Sequence, residues 1–506
     1  MLELSAFIGQ ITGLIYVSAA ILPLWYLASY LTSPLGQFPG PFLAGWTNLW
    51  RMYYVRRGDY HLAIQELHKK YGPVVRIAPN VLDLDIPELV KTTEFYHGSC
   101  AVNNGKIIYN LFSECKPEVH SAQKRPVSKY FSLNGIMTLE PHIDNMIQYF
   151  CQRLDEKFVD GSNSSQICDL GEWITYYTWD VVGQATFSQP IGYLEKGYDF
   201  DNTLKTANIA MDYFTLVGQM PILDHLLDKN PIYRLGPPSF GAITNISIQH
   251  LVDRLQGSDT GYHDSGKPDV LDKLIEAEGN FPDAVDDTLI ISWLMVIMIA
   301  GADTTTITLS TALYYSLKQP GIWQRLRSEI PANNSKSSFS ATSYKDSRNF
   351  PYLNAVVREA LRYHPGVAML LERYSPKEGL NLPGGRHVPA GCVVGMNPYV
   401  VGRNKSVFGE DADIFRPERW FRDEKLETEE EFQQRLRLMN NTDLAFGGGS
   451  RICIGKHLAL VEVYKVLATL ISRFDISFVD PIKEWSTHNS FFVRQSGIKV
   501  KLSIRT

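Results

Sequence analysis

Residues Thr288 to Ala302 read TLIISWLMVIMIAGA, fifteen positions without a charge, inside a longer helical candidate running from Asp283 to Lys318. Fifteen residues of helix rise about 22 Å, short of the roughly 30 Å of a hydrocarbon core. A helix that is apolar all round and does not span a membrane has to be covered by protein on every side. The chain therefore has to build a thick body around this segment. With 506 residues it has the mass to do so, although length alone would allow about three domains of roughly 150 residues. Helical texture continues from about Gly135 to Ile330, so the body is expected to be mainly α. Polar stretches at Asp160 to Ser165, Gly257 to Lys267 and Pro331 to Ser347 read as loops.

Strand signals are few. Arg57 to Tyr71 has helical periodicity and stops at Gly72; Pro73 to Ile86 then reads as two short strands around an Asn-containing turn. Pro87 opens a further short helix, since proline suits a first helical turn. Asp423 to Arg437 is a dense charge run, read as a solvated surface insertion. The fold class expected is mainly α with small β-sheets.

The amino terminus has a second charge-free stretch. After Glu3 no Asp, Glu, Lys, Arg or His occurs until Arg51. Phe7 to Leu31, 25 residues long, would rise about 38 Å as a helix, enough to cross a bilayer with some tilt. Trp25, Tyr26 and Tyr30 lie toward one end, where aromatic rings favour the membrane–water interface. Three readings compete: a buried core helix, a cleaved signal peptide and a retained single-span anchor. Missing basic residues before the run argue against the signal peptide. The anchor reading gives residues 1–31 as a transmembrane helix, 32–50 as a Pro-rich stalk and 51–506 as the main domain. Arg51, Arg56 and Arg57 after the span favour a cytosolic body. Six cysteines without a CxxC pair fit a reducing compartment. A formal net charge of −5, from 49 basic and 54 acidic residues, supplies no drive toward nucleic acid.

Chemistry concentrates at two places. The long apolar helix is interrupted by Gly301, Asp303, Thr304 and Thr305. A carboxylate inside such a helix has to be paired, protonated or turned to a wet site. Threonines bonding back to the preceding turn explain the hydroxyls but not the acid. The second place is Phe446 to Gly455, FGGGSRICIG, which leads into the amphipathic run KHLALVEVYKVLATLISRF. A cysteine where a loop meets a helix start faces backbone N–H groups and a positive helix end, both of which favour thiolate. With no second Cys or His nearby to complete a zinc set, Cys453 suits a single axial bond to a haem iron. A Gly-rich turn with an incidental cysteine remains open on this motif alone.

Three further motifs fall in matching order, and together with the cysteine loop they resemble the cytochrome P450 superfamily. FGGGSRICIG fills the pattern Phe-x-x-Gly-x-Arg-x-Cys-x-Gly at Phe446, Gly449, Arg451, Cys453 and Gly455. AGADTT at Ala300 to Thr305 resembles the oxygen-activating motif of the central helix; Glu359 and Arg362 supply the Glu-x-x-Arg pair, and FRPERW contributes Arg419. The texture is most similar to fungal microsomal members, including pisatin-demethylase-like enzymes.

The resemblance implies a cytochrome P450 fold in one large domain, haem b as cofactor, and monooxygenation of a lipophilic small molecule by hydroxylation or oxidative demethylation in secondary metabolism. It implies Cys453 as iron ligand with Phe446 beside it, and Asp303 and Thr304 as an acid–alcohol pair that delivers protons. Arg451 and Arg373 would meet the haem propionates. His120 and Lys124 stand where the family has Trp and Arg, and Arg125 is one residue out of register. Glu359, Arg362 and Arg419 would form a structural clamp.

The expected partners are NADPH–cytochrome P450 reductase, which would dock near Lys456, and cytochrome b5. The expected location is the endoplasmic reticulum membrane. Substrate contacts are expected from Cys100 to Glu118, from the stretch after Met211, from Met298 and from Gly366 to Leu371, residues that serve equally well as ordinary core. Two rival readings remain, a haem-thiolate isomerase or dehydratase acting on peroxides without a reductase and a non-catalytic haem sensor, and the Asp303–Thr304 pair argues against both.

Overall fold

The computed structural model describes residues 21, 23–86, 96, 100–103, 106–160, 166–230, 232–236, 241–333 and 339–506. Most of the expected anchor and the helix expected at Pro87 lie outside these residues.

The central helix runs from Asp287 to Lys318, about 48 Å long. It starts four residues later than its apolar pattern suggests, because the Asp286 side chain accepts the N–H of Leu289 at 2.8 Å and caps it. Helices Leu170–Phe187, Gly241–Gln256, Pro351–Tyr363 and Lys456–Arg473 pack around it. Among the described residues it is the one helix long and apolar enough to cross a membrane, by length and composition. Ile290, Leu294, Met298 and Ala302 are fully buried. The helix is less completely enclosed than its sequence predicts, because Val296, Ile297, Ile299 and Ala300 line an internal cavity.

The sheets are small and peripheral. Val74–Ala78 and Val81–Leu84 pair antiparallel, as read from the sequence. Val81–Leu84 then pairs in parallel with Val393–Gly395, which pairs antiparallel with Arg373–Tyr374. Phe474–Phe478, Lys499–Ile504 and Cys168–Asp169 form a second sheet. A hairpin of Ser486–Ser490 and Phe492–Ser496 is joined to the body by a bridge from Phe492 to Val367.

Three local readings change. The helix expected from Arg57 to Tyr71 begins at Tyr60, and Arg57 instead ends a preceding helix, Leu49–Arg57. They divide at Gly58, whose φ of 78° suits glycine and whose missing Cβ leaves room for the His488 ring. The polar loop before Ser347 contains a short helix, Tyr344–Arg348, capped by Ser343. The charge run after Asp423 feeds the helix Glu429–Thr442, and Arg435 within it donates to the carbonyls of Arg419 and Phe421. Residues 23–32 are helical, with Leu24, Trp25 and Leu31 exposed. Beyond them Leu35 and Phe38 enter the cluster of Val74, Leu82, Leu84 and Val394, so the Pro-rich segment lies on the first sheet.

Candidate active site

The cavity beside the central helix has a volume of about 350 Å³. The cysteine loop and the helix Lys456–Arg473 form part of its wall. Gly447 at φ 69° and Gly449 at φ 61° turn the loop where side chains would strain it. The Cys453 N–H closes the loop onto the Phe446 carbonyl at 2.9 Å. Gly455 then caps the helix, and Cys453 lies just before its positive end. Cys453 is deep in the protein, yet its side chain is open to the cavity. Burial pushes its thiol up, opposed by the Gly455 and Lys456 N–H groups and by the Lys124 and Lys456 ammoniums. A coordinated metal would override this balance, since a thiol bound to a metal is deprotonated outright. The Phe446 ring lines the cavity with the Lys456 ammonium 5.5 Å from its centroid. None of the other five cysteines forms a disulfide among the described residues.

Four basic side chains reach the same cavity: Arg373, Arg451, His120 and Lys124. Arg373 donates to the Tyr96 hydroxyl at 3.2 Å and to the Glu372 carbonyl at 2.7 Å. Its Nε, and Nη2 of Arg451, are buried without a partner among the described residues. Buried guanidinium N–H groups left unpaired are costly, so this donor set calls for carboxylates from a bound group. His120 is buried, and its pKa falls to about 4 through burial, with Arg451 and Lys124 adding repulsion. It is a neutral donor at pH 7. Lys124 turns its ammonium to the carbonyls of Ser450 and Ile452, at 3.1 and 3.4 Å, and so braces the cysteine loop. An open sulfur and two orphaned arginine donors in one apolar slot fit a haem.

The central helix separates the two residues read as a pair. Thr304 lines the cavity, and its hydroxyl donates back to the Ala300 carbonyl at 2.9 Å. A Cβ on Gly366 would come within 3.3 Å of Thr304, so glycine there leaves that wall its space. Asp303 points elsewhere and accepts the indole N–H of Trp179 at 3.0 Å. Burial raises its pKa, while Trp179 and Arg494 oppose the rise. Asp303 is therefore a second layer behind the cavity wall.

Glu359, Arg362 and Arg419 do meet. Arg362 forks onto Glu359 at 2.6 and 2.9 Å, and Arg419 Nε donates to the same carboxylate at 3.0 Å. Trp420 Nε1 and the Arg416 N–H complete its shell at 3.0 and 2.8 Å. Both arginines pass further N–H groups to main-chain carbonyls, among them Ala412 and Ile414.

Three residues escaped the sequence reading. Tyr96 holds Arg373 and has no local signal. Phe491 lines the cavity from a hairpin tip that lacks Gly or Asn. Glu462 lines it from the helix after Cys453. A lone acid between Val461 and Val463 was the available signal for the last.

The fold and cavity define a class: a mainly helical body around one enclosed cavity whose lining fits a haem. The chain belongs to the cytochrome P450 family, whose profile matches residues 39–502. It is 46% identical over 495 residues, 95% of this chain and 90% of the other, to cytochrome P450 monooxygenase cfoH of Aspergillus candidus. It is 34% identical to cytochrome P450 monooxygenase cicH of Emericella nidulans, over 93% of this chain and 94% of that one. A third relative, cytochrome P450 monooxygenase gsfF of Penicillium aethiopicum, is 31% identical over 95% and 96% of the two chains. The protein is an oxidoreductase of the monooxygenase type that uses haem, with NADPH electrons arriving through a reductase.

Proposed function

We propose that this chain inserts one oxygen atom from O2 into a lipophilic small molecule, by hydroxylation or oxidative demethylation, in fungal secondary metabolism. The carrying observation is Cys453, whose thiol is open to the same apolar cavity that Thr304 lines. When bound, the haem supplies the reductive activation of O2, with two electrons from NADPH through the reductase. Cys453 would hold the iron, Arg373, Arg451 and His120 would meet the haem carboxylates, and Lys124 would brace the cysteine loop beside them while adding its positive charge. Phe446 screens the sulfur from solvent. Thr304 presents a hydroxyl to the reacting space, and Asp303 behind it carries protons inward; burial raises its pKa and so favours its holding a proton.

Residues 1–31 act as the anchor, 32–50 as a short stalk laid against the first sheet and 51–506 as the catalytic domain on the cytosolic face of the endoplasmic reticulum. Lys456 offers the reductase, or cytochrome b5, a cation near the cysteine loop. The test is the reduced carbon monoxide spectrum of the purified protein. The wild type is expected to show the long-wavelength Soret band of thiolate-bound haem, and Cys453→Ser to lose it. Persistence of that band in the variant would overturn the assignment.

A further inference from the structure

Arg51, one of the basic residues that follow the charge-free amino-terminal stretch, is turned inward and is 2% exposed. It sits on the helix Leu49–Arg57, and its Nη2 donates to Oε1 of Glu372, 321 residues away and 5% exposed. Burial works against the Arg51 charge, and Glu372 and Tyr60 more than offset it. Neither Arg51 nor Glu372 lines the cavity. Glu372 is nevertheless the residue immediately before Arg373, which does.

The two residues are tied by more than sequence. Arg373 Nη1 donates to the Glu372 main-chain carbonyl at 2.7 Å and to the Tyr96 hydroxyl at 3.2 Å. Burial raises the Tyr96 pKa, and the charges of Arg373, Glu372 and Arg451 all act on its hydroxyl, so the Glu372 carboxylate belongs to the same charged group as both guanidiniums. Those guanidiniums call for an anion. Burial lowers the Arg451 pKa, and the Arg373 charge lowers it further. Arg373 Nε and Arg451 Nη2 have no partner among the described residues. Glu114 also acts on Arg451, but its Oε1 is committed to the Lys116 N–H at 2.7 Å. A buried carboxylate left unpaired is costly, so Glu372 has to take a cation from somewhere. Arg51 supplies it from outside the cavity wall.

We propose that Arg51 and Glu372 are positioning residues for the haem: Arg51 neutralises Glu372 and so keeps the Arg373 and Arg451 guanidiniums available to the haem carboxylates. This rests on those carboxylates meeting Arg373 and Arg451, as proposed above. Without Arg51, Glu372 is an uncompensated anion beside Arg373, and it draws positive charge and donors away from the haem edge. The helix that follows the stalk thus supplies a charge on which haem retention depends, although it touches neither the cavity nor the cysteine loop.

The test measures haem release from the full haem-loaded chain to excess apomyoglobin, followed by Soret absorbance, beside the melting temperature of each sample. Arg51→Met is expected to release haem about ten-fold faster than the wild type, the loss of roughly one charge-assisted hydrogen bond. Glu372→Gln breaks the same ion pair but leaves no competing anion. Its release should stay within about three-fold of the wild type even though its melting temperature falls, because Arg51 is then buried alone. Combining Arg51→Met with Glu372→Gln should also bring release back to within about three-fold. An ion pair that only ties two segments together would behave alike whichever side were removed. Equal acceleration in the two single variants, an unchanged rate in Arg51→Met, or a double variant as leaky as Arg51→Met would overturn the proposal. If Arg51→Met takes up no haem, the double variant decides: recovered loading supports the proposal and absent loading overturns it. The carbon monoxide spectrum separates these outcomes from failure of the haem assignment. A wild type without the thiolate band defeats that assignment, whereas a normal band with symmetric variants defeats the neutralising role alone.

Discussion

Glu462 is 1% exposed, and its Oε2 has no partner among the described residues. The Tyr177 hydroxyl, whose own proton the Glu462 charge helps to hold, also lacks one. Burial alone raises the Glu462 carboxyl from an ordinary 4.5 to about 8. Between those values the folded chain binds more protons than the unfolded one, so stability falls as pH rises through that window. Glu462→Gln removes this dependence. The melting temperature of the variant relative to wild type should climb from about pH 4.5 to a plateau above about pH 8, worth up to about 5 kcal/mol. Thermal melts across that range check it, and parallel curves for the two proteins would contradict a buried neutral acid. At this scale, what the sequence disclosed depended on neighbours in the chain. Cys453, Thr304 and Arg373 were legible from motifs, and the structure puts all three on one cavity. The direction of Asp303 was not legible, since adjacent helical residues point about 100° apart and only the packing of Trp179 decides which one meets the cavity.

Among elements, the Glu359 cluster ties the helix Pro351–Tyr363 to the segment Arg416–Trp420. Removing its charge leaves two buried guanidiniums facing a neutral amide. Glu359→Gln should therefore cost about 3–5 kcal/mol. The expected result is a lower melting temperature together with reduced haem content, read from Soret against protein absorbance. Full haem loading with an unchanged melt would show that the cluster clamps nothing. The Glu-x-x-Arg spacing and Arg419 made the pair and its third member visible in sequence. The carbonyls of Gly402 and Ala412 that share Arg362 were not visible, because no local periodicity encodes partners 40 and 50 residues away. The hairpin tip at Phe491 stayed hidden for a related reason. Its turn is imposed by the contacts of its strands with Ala368 and Thr311, against the preference of its own residue.

For the whole molecule, the exposed side chains of Leu24, Trp25, Leu31, Phe42 and Leu43 collect near the amino terminus of the described chain. Tyr30 does not share that role: it stacks on Trp46 with centroids 4.8 Å apart, and its ring fills the space beside Gly45. Deleting residues 1–28 spares this contact. Fractionation should then move most of the protein out of the membrane pellet while the carbon monoxide spectrum stays intact. Retention in the pellet would place the membrane contact in the catalytic body. The expectation of a bilayer segment rests on charge-free composition, whereas the docking of Tyr30 depends on a sheet that composition does not describe. That sheet also sets a schedule for biosynthesis. Val81 finds its parallel partner only at Val393. A ribosome adding about 5–20 residues per second needs on the order of 15–60 s to cover that interval. Throughout it, the nascent chain carries an open strand edge. Chaperone traffic on this protein should therefore concentrate on its first hundred residues until the last quarter of the message has been read.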